Sequence, residues 1–429
     1  RLPCLIFEGP LPTYKGDKKT NKVYFTDLQE PGRSFSCENV QNDLQVPSSQ
    51  YYPRKNWKFK FKADITYTES GRTSPTYALR ANSIPVNAFC VKADFAESSG
   101  THNTGMAKVI NSLLIEMGLT TPPQKTNKEV RTTVDGYPIA IFHRETASDT
   151  LEFVGKYNFN NDKSTAETFG FSDGDESWEF SNNTSDRCLF KSADFSGTDW
   201  TNDFESRYPD DDAINAEYEA GTRKPEKLMA VTSWVVSTKD NLDKFKNEVR
   251  NHFNLDNLIA YYLITELFGM VDQRAKNMFL TYFHEEGKWI FIFYDNDTCF
   301  GLNNEGLIAF GYNIEYHDKI GTLNVWNGES SVLWNNLEKC FPSEIEAMYK
   351  DIRTRGLLSY DLIMSVLNGE QSDKWCEAIY NADGRFKYID PLIEEGNGSY
   401  LYAAQGSRIE NRKWWTYNRF LYIDSKYTA

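Results

Sequence analysis

The stretch from residue 254 to residue 301 constrains the fold of this chain more than any other. Residues 255–268 are strongly apolar at helical spacing, and two strand-like runs follow, 278–283 and 288–294, on either side of a Glu-Glu-Gly turn. Such spacing is typical of a helix and of paired strands. The stretch therefore predicts a helix that leads directly into a β-hairpin.

Three oxygen-bearing side chains lie at the ends of these elements. Asp272 follows the helix, Asn277 starts the first strand five residues later, and Asp295 follows the second strand. Phosphoryl transfer requires a carboxylate that orients the attacking hydroxyl and oxygen ligands that hold Mg²⁺ against the phosphates. Protein kinases place a catalytic Asp and a metal-binding Asn five residues apart and bring a second Asp on the next hairpin. The spacing thus indicates a magnesium-assisted phosphoryl-transfer site.

The same residues also have a purely structural interpretation. The Asp-x-x-x-x-Asn pattern is short, so it arises often without any catalytic role. Asp272 would then cap a helix, and Asp295 to Asp297 would form an ordinary turn. The spacing alone leaves both interpretations open.

A second group of patterns lies upstream. Aromatic residues alternate with lysines from Trp57 to Lys62, which predicts a strand with one buried and one wet face, and residues 87–94 predict another strand. Apolar residues at helical spacing predict a helix at about 103–117, and Gly118 is expected to end it. The order is strand, strand, helix.

A hairpin is expected next, because the runs 130–134 and 139–142 flank Asp135-Gly136. Both residues of that dipeptide tolerate the positive φ of a tight turn. Together these patterns predict an α+β, two-lobed, protein-kinase-like fold with a β-rich N-lobe and a mainly helical C-lobe. The predicted parts are an irregular leader (1–50), the N-lobe (51–157), a surface insertion rich in Asn, Asp, Ser, Thr and Gly (158–225), and the helical C-lobe with a C-terminal helical extension (226–429).

Composition excludes several classes of protein. The 429 residues are 40% hydrophobic, so a large core is possible, and the formal net charge of −14 disfavours binding to nucleic acid. No apolar run is long enough for a membrane span. The seven cysteines include no CxxC and no Cys/His pairs at zinc spacing, so neither a disulfide framework nor a structural zinc site is expected.

A kinase also needs a cation on the α- and β-phosphates, usually a strand Lys held by an acidic residue of the following helix. Lys92 lies on such a strand, and Glu116 is the acid of the predicted helix, although it stands near the helix end. A surface Lys on a strand is the plainer interpretation. No G-x-G-x-x-G loop precedes Lys92; the turn at 69–75 is the nearest substitute.

The chain resembles the spore-coat CotH kinase family over roughly residues 50–350. That family shows a helix leading into Asp, an Asn before an aromatic strand, and a Trp-Asp-x-Asp-x-x-Phe-Gly ending, for which this chain has Tyr294 in place of the Trp. The segments that carry the resemblance are 258–272, 276–280 and 287–301, with upstream matches at 56–61, 91–95, 117–118 and 134–137.

The resemblance implies an atypical kinase that binds ATP and Mg²⁺ and phosphorylates Ser in partner proteins. Transferred to this sequence, Asp272 would be the catalytic residue and Asn277 a metal ligand. Asp295 would be the metal-binding Asp, and Asp297 matches the second Asp of the motif. The resemblance does not decide which of these two binds the metal.

The C-terminal stretch, 404–427, is rich in Trp, Tyr and Arg. It resembles the ends of CotH-like domains in large bacteriophage structural proteins, although such a helix also fits a simple packing role. The resemblance implies a second function: a structural component of a virion or a spore surface, cytoplasmic during assembly, with neighbouring particle proteins as partners. A small-molecule kinase with the same metal site is a third hypothesis.

Overall fold

Seven strands of the N-terminal part close into a barrel. The computed structural model describes residues 2–45, 54–94, 101–303, 308–371 and 407–428. Around the barrel the strands follow the order β2-β1-β8-β9-β7-β4-β3, and β3 pairs with β2 to close it, while β5 and β6 extend from β3. The strands are β1 Cys4–Glu8, β2 Lys19–Thr26, β3 Phe35–Gln45, β4 Asn56–Phe61, β5 Ile65–Tyr67, β6 Thr73–Ser74, β7 Ala88–Lys92, β8 Gly136–Arg144 and β9 Glu152–Asn161.

Every second side chain along the strands points into the barrel, and many of these side chains are aromatic. Phe59 is buried and contacts Phe7, Phe89 and Phe159 inside it. Because successive side chains of a strand point to opposite faces, Lys92 leaves the barrel on its outer face. The strand predicted at Trp57 to Lys62 is confirmed as β4.

The barrel corrects the predicted N-lobe in two respects. The β-rich N-terminal part is confirmed, but it is a closed barrel and not the open lobe of protein kinases. Residues 1–50, expected to be an irregular leader, supply β1, β2 and β3 in their described part. Their pairing is long-range: Cys4 of β1 lies beside Ala140 of β8 in a parallel arrangement. Such pairing leaves no mark in the local sequence pattern.

The hairpin predicted around Asp135-Gly136 is also wrong. Residues 130–134 form no strand, and β8 pairs instead with β9. Gly136 is needed for close contact, since a Cβ there would lie 2.0 Å from Oδ1 of Asn160. Asp135 accepts two hydrogen bonds from the guanidinium of Arg80. The dipeptide therefore serves packing and not a turn.

Residues 158–225 are not a surface insertion. They supply β10 (Glu176–Phe180) and β11 (Phe204–Tyr208), which join β12 (Met278–Phe283) and β13 (Lys288–Phe293) in a four-stranded sheet of order β11-β10-β12-β13. Trp178 and Trp200 of this segment are buried in the core. The polar composition reflects its turns, whereas most of its aromatic residues pack inward.

The helices gather in the C-terminal part, as predicted. Residues 319–320 and 323–324 form a short exposed hairpin, β14 and β15. No helix in the described part of the chain has the length and apolarity needed to cross a membrane. The helices are α1 His102–Glu116, α2 Pro122–Thr126, α3 Ala166–Phe169, α4 Asp212–Ala220, α5 Glu226–Ser237, α6 Leu242–His252, α7 Leu255–Phe268, α8 Val332–Cys340, α9 Pro342–Thr354, α10 Tyr360–Gln371 and α11 Ser407–Thr428.

Helix α7 is the centre of the largest core, because it is buried on nearly every side. The C-terminal helix α11 packs onto the end of α7 and fixes the loop after β13. Trp415 of α11 is so close that a Cβ on Gly301 would lie 2.8 Å from its ring, and the φ of +87° at Gly301 also favours glycine. Arg419 of α11 is buried and donates hydrogen bonds to carbonyl groups of Leu267 and Ile314. The elements around residues 272–301 are thus held rigidly.

Candidate active site

The β12–β13 hairpin brings two of the predicted residues to one end of a sheet. Met278 pairs with Phe293, so Asn277 and Asp295 leave their strands at the same end. Both have left-handed backbones, with φ of 53° and 56°. Asn and Asp tolerate this conformation better than other non-glycine residues, and strained backbone of this kind concentrates at functional sites.

Asp272 lies beside them and is held by two amides. It is only 2% exposed. Nδ2 of Asn277 donates to its Oδ2 at 2.8 Å, and Nδ2 of Asn327 donates to its Oδ1. The next residue, Gln273, donates from its side-chain amide to the Asp295 carbonyl oxygen at 2.6 Å. The structure therefore places Asp272, Asn277 and Asp295 in one connected group.

Lys92 reaches this group from the barrel. Its Nζ lies 2.6 Å from Oδ1 of Asp295 and 5.2 Å from the centre of the Tyr294 ring. Burial lowers the pKa of Lys92, but attraction to Asp295, with smaller contributions from Tyr294 and Asp94, outweighs it and holds the pKa well above the ordinary value. The ammonium is therefore charged at neutral pH and faces the predicted metal-binding carboxylate.

Glu116 does not join the site. It lies exposed at the C-terminal end of α1, where its backbone carbonyl accepts a hydrogen bond from Arg355 at 2.9 Å. The carboxylate beside Lys92 is Asp295 and not Glu116. The predicted ion pair of Lys92 with Glu116 is therefore wrong. The first residues of α1 lie toward the site, whereas Glu116 is at the other end of the helix. Asn103, in the first turn of α1, accepts a hydrogen bond from the Asn296 backbone N–H at 3.1 Å.

Asp297 is half-buried and lies two residues beyond Asp295 in the same loop. Its carbonyl oxygen accepts from the backbone N–H of Cys299 at 3.0 Å and lies 3.4 Å from Nδ1 of His102. The structure thus distinguishes the two acids of the motif: the cation contacts Asp295. Which of them binds metal remains a prediction, and this contact favours Asp295.

Three polar residues of the site were missed in the sequence: Asn103, Gln273 and Asn327. Gln273 adjoins Asp272, so the sequence of the loop itself could have indicated it. Asn103 and Asn327 come from segments far away in the chain, and an isolated Asn carries no signal that would select it. Only the fold brings them to the aspartates.

The donor set fits Mg²⁺. The side-chain amide of Asn277 uses its N–H on Asp272, so its oxygen is the atom that remains as a ligand, and Asp295 adds a carboxylate. Magnesium is usually held by one or two carboxylates together with phosphate oxygens and water. Within the described residues no group of three or more His, Cys, Asp or Glu side chains is placed to hold a metal ion. A site of this kind would therefore depend on the nucleotide for its remaining ligands.

A buried network of ion pairs lies against the ring of Tyr294. Lys163 lies 4.8 Å from the centre of the Tyr294 ring and pairs with Glu179 at 2.8 Å, and Arg207 pairs with the same carboxylate at 2.5 Å. Burial raises the pKa of Glu179, but attraction to Lys163 and Arg207 outweighs it and lowers the pKa from 4.5 to about 2. Glu179 thus pairs with two buried cations, and Arg207 also pairs with Glu205.

This network predicts an acid-sensitive contribution to stability. The pKa of Glu179 is lower in the folded state, so its contribution is complete above pH 4.5 and is lost as the pH falls toward 2. Between pH 5 and pH 3 the loss should be about 2 kcal/mol. Urea denaturation of the parent and of Glu179→Gln at both pH values measures it. The variant should be less stable at neutral pH and lose less on acidification; equal losses would contradict the assignment.

A separate cleft of about 690 Å³ opens between the barrel and the other face of α1. It is lined by Arg33, Arg80, Lys108 and Arg131 among others, and by none of the predicted site residues. Arg80 and Arg131 already share Asp135, at 2.8 and 3.8 Å. Size alone does not make this cleft the chemical centre, since Lys92 and the aspartates lie elsewhere.

A β-rich part, a helical part and the Lys/Asp/Asn group between them define a kinase-like α+β protein. Residues 160–359 match the family model described as CotH kinase protein, which confirms the resemblance seen in the sequence. This segment, just under half of the chain, is similar to that family. The match begins inside the region once expected to be an insertion and includes Asp272, Asn277, Asp295 and Asn327. No curated protein matches the chain significantly.

Proposed function

We propose that the protein is an ATP- and Mg²⁺-dependent kinase that transfers the γ-phosphate of ATP to Ser or Thr of partner proteins. The observation that carries the proposal is the contact of Lys92 with Asp295, at the hairpin end where Asn277 holds Asp272. These are the groups that phosphoryl transfer uses for positioning and charge neutralisation. The family match supports a kinase, and the protein acceptor is inferred from the family resemblance.

Each residue has a distinct role in this proposal. Asp272, fixed by two amides, would accept a hydrogen bond from the acceptor hydroxyl and orient it toward the phosphate. Asn277 and Asp295 would hold Mg²⁺, which neutralises charge on the phosphates when bound. Lys92 would neutralise phosphate oxygens. In the structure Lys92 neutralises Asp295 instead, so nucleotide binding would require its ammonium to turn from the carboxylate toward a phosphate.

Replacing Lys92 by methionine is expected to lower transfer by about tenfold to a hundredfold, because a preorganised cation is lost while the apolar stem is kept. The measurement is incubation with Mg²⁺ and γ-labelled ATP, read as self-labelling and as labelling of proteins from the source cells. Lys60→Met is the matched control, since Lys60 is exposed on the neighbouring strand β4. Equal labelling by both variants would remove Lys92 from the site.

A structural role in a particle is the second candidate. Trp414, Tyr417 and Leu421 lie on one side of α11 and are each more than half exposed. Exposed apolar residues in a row often mark a contact with another protein. If the folded parent transfers no phosphate under any tested condition, the kinase proposal fails and this role, in a virion or on a spore surface, becomes the better explanation.

A further inference from the structure

Asn327 makes a contact with Asp272 that no motif contains. Its Nδ2 donates to Oδ1 of Asp272, and its backbone N–H donates to the carbonyl oxygen of Val271 at 2.8 Å. Asn277 donates to the other carboxylate oxygen, Oδ2, at 2.8 Å. The carboxylate is therefore held from both sides, once by its own loop and once by a segment 55 residues further along the chain.

The segment that carries Asn327 is itself fixed. On one side of it, the Trp326 ring lies 4.6 Å from the buried guanidinium of Arg274, and its Nε1 donates to the carbonyl oxygen of Glu315 at 2.9 Å. On the other side, Gly328 packs so closely that a Cβ would lie 2.6 Å from the Arg274 carbonyl oxygen. Its own carbonyl accepts from the Tyr316 hydroxyl at 2.7 Å. Asn327 has little freedom to leave Asp272.

A carboxylate with one fixed hydrogen bond can still rotate about its terminal torsion, since that torsion is broad. A second donor on the other oxygen fixes the plane of the group. The direction of the remaining lone pairs is then set before an acceptor hydroxyl arrives. Small errors in such positioning are costly to the reaction rate.

We propose that Asn327 is a positioning residue of the phosphoryl-transfer site, which acts by fixing the plane of the Asp272 carboxylate. The inference rests on the proposed kinase function. It concerns the side chain of Asn327 alone, and the exposed hairpin β14–β15 of the same segment has no part in it. Asn327 itself needs no contact with the nucleotide.

The test is steady-state kinetics of Asn327→Ala. We expect kcat to fall on the order of tenfold to a hundredfold, and KM for ATP to stay within about twofold, because Lys92 and Asp295 are untouched. Asn324→Ala is the matched control. Its amide lies three residues away in the same segment and donates to Glu329 at 2.7 Å instead of to Asp272. It should keep the parent kcat.

A second measurement separates positioning from a general loss of structure. In an Asp272→Asn background, the further change Asn327→Ala should lower the residual kcat by less than about twofold, because its effect passes through the Asp272 carboxylate. A comparable loss in both backgrounds would show a structural role and overturn the proposal. So would an unchanged kcat in the single variant. A parent enzyme that transfers no phosphate would overturn the kinase function as well, and the parent assay alone reveals that outcome.

Discussion

Replacing Arg274 by alanine is expected to lower the free energy of unfolding by about 3–5 kcal/mol. The Arg274 side chain is fully buried, and its guanidinium lies 3.0 Å from the carboxylate of Glu266 and 4.0 Å from the centre of the Tyr262 ring. Its Nη2 also donates to the Tyr262 carbonyl oxygen at 2.9 Å. The substitution removes these contacts and leaves the buried Glu266 carboxylate with a more distant cation, the guanidinium of Arg419 at 3.7 Å.

Urea denaturation of purified parent and variant measures this change. Arg223→Ala is the matched control, because Arg223 also pairs with a glutamate, Glu217, at 3.2 Å, but on the surface. Solvent screens such a pair, so little change is expected. A loss below about 1 kcal/mol for Arg274→Ala would show that the rings of Tyr262, Tyr316 and Trp326, which surround the guanidinium, pack stably without it.

Replacing Asp295 by asparagine is expected to reduce phosphoryl transfer by roughly a thousandfold or more, since it removes the charge that would hold Mg²⁺ at nearly constant shape. The same change leaves the ammonium of Lys92 without its carboxylate partner at 2.6 Å. Single-turnover labelling with γ-labelled ATP measures the rate, and circular dichroism checks that the fold is kept.

Two further variants make this result specific. Asp297→Asn changes the other acid of the same loop, which Lys92 does not contact in the structure, and should lose at least tenfold less activity than Asp295→Asn. Asp240→Asn, at an exposed position before α6, should behave as the parent. If Asp297→Asn is the more damaging change, the metal ligand has been assigned to the wrong acid.

Local patterns predicted several elements well. The helix expected at 103–117 is α1, the strongly apolar run is α7, and the two runs after it form the β12–β13 hairpin. Helix α1 shows apolar residues at helical spacing, whereas α7, β12 and β13 are buried on nearly every side and appear as strongly apolar runs, so the residues that pack also set the pattern. The predicted parts of the site, Asp272, Asn277 and Asp295, are adjacent because a single helix and hairpin carry all three.

Features that depend on distant segments could not be predicted in this way. The barrel closes because β3 pairs with β2 and β1 pairs with β8, contacts that no local pattern encodes. Asp135-Gly136 has the chemistry of a turn, but its glycine is required by the proximity of Asn160. In segment 158–225 turn-forming polar residues dominate the local pattern, although aromatic residues such as Trp178 and Trp200 pack it into the core.

The same difference between local and distant contacts applies to the site. The strand pattern indicates Lys92, whereas the choice of Glu116 depends on the assumption that the acidic residue of the helix faces Lys92. The helix instead presents Asn103 at its first turn, and the carboxylate comes from Asp295. Asn327 could be recognised only from its contact with Asp272, since its position in the sequence lies far beyond the hairpin.

The central claim is that Lys92, Asp272, Asn277 and Asp295 form one metal and nucleotide site. The most direct measurement is a crystal structure with Mn²⁺ and a non-hydrolysable ATP analogue, in which the anomalous signal locates the metal. We expect the metal on the Asp295 carboxylate and the Asn277 amide oxygen, with the Lys92 ammonium moved from Asp295 to a phosphate oxygen. A nucleotide bound elsewhere, or metal density away from these residues with the Lys92–Asp295 contact intact, would contradict the account.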